Sequence, residues 1–170
     1  DDETIGMGGT ITRHFDIGDK VYVISMTKGI GSRDSNSDSN AVIRKINSKK
    51  ASDILGFIWY EQFNFDDNQM DKYPLLNIIK KIEGVKSKLN PQIVYTHSSS
   101  DLNIDHRILS EAVLTAFRPQ PKEICKEIRL FEVASATDYG TDVITGKFSP
   151  NLFITAACNR SERDNSKLTK

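Results

Sequence analysis

The run Ile93-Val94-Tyr95 passes directly into a polar loop, Thr96 to Asn103, and then into a helical pattern at Ile108, Ala112, Val113 and Ala116. A strand, a polar loop and a helix start, in that order, form the repeating unit of α/β proteins. Ligands gather in such folds at the carboxyl ends of the strands. Further apolar runs read as strands over Lys20–Thr27, Phe57–Tyr60, Gln92–Thr96, Ile124–Val133 and Asn151–Ala156. Near-continuous apolar strands of this kind are buried on both faces of a parallel sheet. Helical spacing predicts helices over residues 3–15, Ala41–Leu55 (Ile43, Ile46, Ala51, Ile54, Leu55), Tyr73–Leu89 (Leu76, Ile79 and Ile82 on one face) and Asp105–Phe117. Gly56, Pro91 and Arg118-Pro119 supply the stops. The alternation predicts an α/β fold, a mainly parallel sheet with helices on both faces. With no internal repeat and no linker, residues 1–170 read as a single domain.

Two segments carry residues suited to chemistry. The first is Asp1-Asp2-Glu3-Thr4-Ile5-Gly6-Met7-Gly8-Gly9-Thr10, a carboxylate pair entering a glycine-rich helix. It reads as a motif cut in half, with no strand in front. Acidic residues at a helix start serve as caps; as a functional pair, one binds a metal and its neighbour takes a proton from water. The second is the loop bracketed by His97 and His106 at the carboxyl end of a strand. Two neutral imidazoles so placed suit zinc, and a carboxylate pair with a downstream histidine can share a divalent metal. Without His97, His106 would read as a structural hydrogen-bonder beside Asp105. His14 reads as a solvent-facing helix residue. The polar stretches 28–40 and 61–72 are expected to shape a pocket rim, and 159–170 a polar tail.

Other classes find little support. Formal net charge is zero, which gives no electrostatic case for nucleic acid or an anionic membrane. No apolar segment approaches the roughly 20 residues needed to span a bilayer. Gly6-x-Gly8-Gly9 lacks the spacing of a nucleotide fingerprint, and Ser25, Thr27 and Ser98–Ser100 lie in no nucleophile elbow. Cys125 and Cys158 are far apart, so a reduced, cytoplasmic protein is the simplest expectation.

Taken together, the segments resemble the LmbE-like de-N-acetylases, the family that includes the N-acetylglucosaminyl-phosphatidylinositol type. Asp1 to Ile11 is similar to that family's His-Pro-Asp-Asp-Glu motif with its His-Pro missing. Val23 to Gly29 resembles its second strand and exit, with Lys28 in an acidic place. Arg44, Ala51 and Leu55-Gly56 resemble its Arg-containing helix, with Asn47 in place of Glu. Tyr95-Thr96-His97 through Asp105-His106-Arg107, Glu111-Ala112-Val113 and Arg118-Pro119 resemble its second metal motif. Glu132 to Tyr139 and Phe148 to Phe153 resemble its later segments.

The resemblance implies a Rossmann-like fold whose first strand is missing from this chain. It also implies a zinc-dependent hydrolase that removes acetyl from an N-acetylglucosamine-type conjugate, a small-molecule partner. Asp2 and His106 are the implied metal ligands, and a further His ligand belongs two positions before Asp1. Asp1 is the implied general base. The place of a second catalytic His holds Asn103, which donates a hydrogen bond but no proton at neutral pH. His97 is the available replacement as acid, and Asp105 is expected to orient His97 or His106. Arg44 is the implied substrate-binding residue. Asn103, Asn47 and Lys28 lend weight to a rival, a non-catalytic protein that binds the sugar conjugate with the same fold. Without the first strand and its His, the 170-residue chain is expected to be poorly stable and inactive.

Overall fold

The computed structural model describes residues 2–27, 29, 38–134, 136–139 and 146–156. β1 (Val21–Thr27) pairs in parallel with β2 (Phe57–Phe65) from Val21↔Phe57 to Thr27↔Phe65. β3 (Ile93–His97) pairs in parallel with β4 (Glu127–Phe131) without a break, from Ile93↔Glu127 to His97↔Phe131. Among the described residues these form two separate two-stranded ladders.

β2 continues past the predicted end at Tyr60. The register slips by one residue after Val23 and again after Ser25, each time with an extra residue on β2, as in a β-bulge. The slips let Glu61 and Gln62 pair opposite Ile24 and Ser25 while Phe63 and Phe65 turn onto the core. The predicted strand Asn151–Ala156 is irregular instead. Leu152 and Phe153 are exposed there, and no layer among the described residues buries them.

Helices cover both faces, because alternate strand residues point opposite ways. α4 (Leu75–Leu89) and α5 (Ile104–Ala116) bury Ile78, Ile79, Ile82, Val85, Ala112, Val113 and Ala116 against Ile24, Met26, Phe63, Val94 and Ile128. Leu76, placed on the apolar face by its spacing, is exposed. On the other face, α2 (Gly8–Asp16) and α3 (Asp38–Leu55) bury Met7, Ile11 and Leu55 against Val21, Val23, Phe57, Trp59, Tyr95 and Phe131. No helix of the described residues is long and apolar enough to cross a membrane.

The predicted helix over residues 3–15 is two: α1 (Asp2–Ile5), then a turn at Gly6 and Met7, then α2. A Cβ on Gly6 would lie 2.6 Å from the Glu132 carbonyl oxygen at the end of β4. Glycine there lets α1 sit against that strand end. His14 also departs from expectation. It shares a face with buried Ile11 three residues earlier. Its Nδ1 lies 2.7 Å from Asp19 and its Nε2 2.9 Å from the Tyr95 hydroxyl, and that hydroxyl accepts from Arg129 at 2.7 Å.

Candidate metal centre

Three elements bring three donors together. Asp2 opens α1, His97 ends β3, and His106 lies in the first turn of α5. Asp2 Oδ2 is 3.0 Å from His106 Nε2 and 3.4 Å from His97 Nε2. The imidazoles are stacked, with centroids 3.9 Å apart and planes 24° apart, and His97 also leans on Phe131 at 4.7 Å. One ligand atom from each of Asp2, His97 and His106 lies within 4.8 Å of the others.

The loop between the histidines holds them at this spacing. Asp101 Oδ1 accepts from the Asn103 N–H at 2.8 Å, and Asn103 Oδ1 accepts from the Asp105 N–H at 2.8 Å. These are two successive side-chain turns of the kind Asp and Asn favour, and the second caps α5. Arg107 closes the loop from the helix side by donating to the carbonyls of Asp101 and Leu102, at 3.0 and 2.6 Å. Asp101 Oδ2 then accepts from His106 Nδ1 at 2.9 Å.

The carboxylate that meets His106 is not the one singled out in the sequence. Asp105 is buried and turns away from both histidines. It accepts from the backbone N–H groups of Asn68 and Met70, at 2.7 and 2.9 Å, and so anchors the β2–α4 connection. The carboxylate on His106 is Asp101. The sequence signal for it was the spacing Asp101-x-Asn103-x-Asp105, which predicts side-chain turns but not which carboxylate reaches the imidazole. Asn103 spends its oxygen on the helix cap. Arg44 is exposed on α3, its guanidinium beside Gly29 past the end of β1, and no described contact joins it to Asp2, His97 or His106. Asp1, most of the 28–40 loop, Cys158 and the 159–170 tail lie outside the described residues.

The electrostatics follow from the contacts. Hydrogen bonds from His106 and then His97 hold the Asp2 carboxyl far below the usual carboxylate range. Burial works against protonation of His106, but Asp101 and Asp2 outweigh it and push its pKa up to about 9. His97 moves the other way: burial dominates and lowers its pKa. Burial raises the Asp105 carboxyl in spite of its two backbone donors.

The sequence model of the GlcNAc-PI de-N-acetylases matches residues 1–117. The chain belongs to that family. No curated protein matches it. Among solved structures, this family member is similar to the N,N'-diacetylchitobiose deacetylase of Pyrococcus horikoshii. That match has a TM-score of 0.68 and 22% identity, over 98% of this chain and 62% of that one. It is similar to a conserved protein of Thermus thermophilus, with a TM-score of 0.65 and 19% identity over 78% of this chain and 62% of that one. It is also similar to the zinc-inhibited form of a teicoplanin deacetylase, with a TM-score of 0.56 and 15% identity over 67% of this chain and 58% of that one. At these identities the likeness establishes the shared α/β fold. The chain spans about three-fifths of the length of these structures.

Proposed function

We propose that this family member is a zinc-dependent de-N-acetylase of an N-acetylglucosamine-type conjugate. The observation that carries the reading is the convergence of Asp2, His97 and His106 within a family-matched segment. Two imidazoles and a carboxylate are a donor set that suits zinc and leaves a position open for water or substrate. The charges are consistent with it. In the metal-free state Asp2 and Asp101 are carboxylates and the proton on His106 offsets one of their two charges. A divalent cation that displaces this proton leaves the cluster neutral, with Asp2 and Asp101 carrying the two negative charges.

When bound, zinc would polarise the acetamide carbonyl and acidify the attacking water. The remaining work falls to side chains. Asp2, His97 and His106 hold the ion. Asp1 takes the proton from water as the oxygen attacks the acetyl carbon. The carbon–nitrogen bond then breaks, and the same carboxyl returns the proton to the departing amine, giving acetate and a free amino sugar. The His97 imidazole, kept neutral by burial, suits a ligand better than an acid, so His97 takes the ligand's role in place of the proton donor's. Asn103 is given a structural role through its cap. Arg44 is the candidate for gripping the conjugate's polar groups at the rim.

The rival, a binding protein with the same fold, draws on Asn103, whose side chain offers no proton. Acetate release decides between them, measured with the whole protein on a panel of N-acetylglucosamine conjugates with and without a zinc chelator. Chelator-sensitive release is the expected outcome, and the best substrate names the conjugate. A folded, zinc-loaded protein that binds a conjugate without releasing acetate supports the binding role.

A further inference from the structure

His106 is held from behind by a residue buried deeper than itself. Asp101 is 0% exposed, and its described side-chain partners are all donors. Oδ1 accepts from the Asn103 N–H at 2.8 Å and Oδ2 from His106 Nδ1 at 2.9 Å. Thr137 Oγ1, itself buried, stands 3.4 Å from the same Oδ2. That hydroxyl already accepts from the Val133 N–H at 2.8 Å, so its hydrogen is available to Asp101. Leu102 N–H donates to the Ala136 carbonyl at 3.2 Å, a second tie between the same two segments. His97 supplies the contrast: its Nδ1 is buried and has no hydrogen-bond partner among the described residues.

We propose that Asp101, backed by Thr137, is the positioning residue of the metal centre. It keeps the hydrogen of His106 on Nδ1 and so aims the Nε2 lone pair at the space shared with Asp2 and His97. The inference rests on the metal-centre reading above. An imidazole that donates through one nitrogen presents its lone pair on the other, and a carboxylate on the outer nitrogen both orients the ring and strengthens the ligand. A carboxylate is required here because both oxygens face donors. An amide at 101 would set its NH2 against the Asn103 N–H in one orientation and against the His106 Nδ1–H in the other. The first loosens the turn that enters α5; the second drives the His106 hydrogen onto Nε2, where it blocks the metal. Through Thr137, the setting of a ligand on α5 is tied to the turn that follows β4. His97 has no such partner among the described residues and is held by its ring contacts with His106 and Phe131 instead.

The test uses the full chain with Asp101→Asn, Thr137→Val and Thr137→Ser. Zinc affinity is read by competition with a chromophoric chelator. The Nδ1–H of His106, hydrogen-bonded to buried Asp101, is followed by proton NMR in the metal-free and zinc-loaded protein, and circular dichroism reports the fold. Asp101→Asn is expected to weaken zinc binding about 10- to 100-fold and to abolish the His106 signal while helical content stays. Thr137→Val is expected to move both readouts the same way by less, and Thr137→Ser to restore them. Wild-type affinity and an intact His106 signal in Asp101→Asn overturn the proposal. If Asp101→Asn does not fold, unchanged readouts in Thr137→Val overturn it. A wild-type chain that binds no zinc overturns the metal-centre reading instead, and the metal-free His106 signal then decides the role of Asp101.

Discussion

At the scale of single residues, the two stacked histidines differ in everything except position. His106 has a carboxylate on each side, while His97 has Asp2 on one side and, on the other, a buried nitrogen with no partner among the described residues. The asymmetry has a pH signature. The folded pKa of His106 is raised from 6.5 to about 9, so in the metal-free chain its contribution to stability is complete below 6.5 and is lost as pH rises through about 9. Asp2 is depressed from 3.8, so its contribution is present above that value and fades in acid. Thermal unfolding of the metal-free protein is therefore expected to show highest stability between these limits and a fall from pH 7 to 10. Zinc affinity, measured by competition, is expected to rise over the same alkaline window, because metal and proton compete for His106 Nε2. Zinc affinity falling across that window would contradict the assignment of His106 as a ligand.

At the scale of elements, two short devices present the donors. The first is the start of α5. Asn103→Ala is expected to cost about 1 kcal/mol in urea unfolding, and Asn103→Asp to retain most of the cap. A catalytic amide would instead lose turnover in both variants at equal zinc loading. The second is the turn between α1 and α2. An added methyl at Gly6 meets the Glu132 carbonyl, which belongs to backbone and cannot swing aside. Gly6→Ala is expected to destabilise the fold by about 1–3 kcal/mol and also to weaken zinc binding, because α1 carries Asp2. An unfolding curve and a chelator competition on one preparation measure both; full zinc affinity in a destabilised Gly6→Ala would separate Asp2 placement from this turn. Asp105 works at the same scale: its two backbone hydrogen bonds tie the β2–α4 connection to the first turn of α5.

At the scale of the whole molecule, the centre joins α1, the end of β3 and the start of α5, elements otherwise linked through two hydrophobic clusters on opposite faces. Anything binding all three stabilises the folded chain alone. Zinc at 100 times its dissociation constant is expected to add about 2.7 kcal/mol, seen as a higher melting temperature that a chelator reverses and that Asp2→Ala abolishes. An unchanged melting temperature with saturating zinc would count against the site. The α/β class, the parallel pairing and the strand–loop–helix unit carrying His97 and His106 were legible in the sequence, because period, turn residues and apolar runs are local properties of the chain. So was the meeting of Asp2 and His106, which stand 3.0 Å apart, through a resemblance carried by short motifs. The continuation of β2 to Phe65, the contacts of half-buried His14 with Asp19 and Tyr95 and the irregular 151–156 segment were not, since each depends on which surface happens to lie opposite. The clearest case is the carboxylate behind His106. Asp101 and Asp105 stand five residues and one residue away from it, and sequence proximity favours Asp105. Only the tertiary fold, by sending Asp105 to the Asn68 and Met70 backbone and burying Asp101 beside Thr137, decided which charge faces the imidazole.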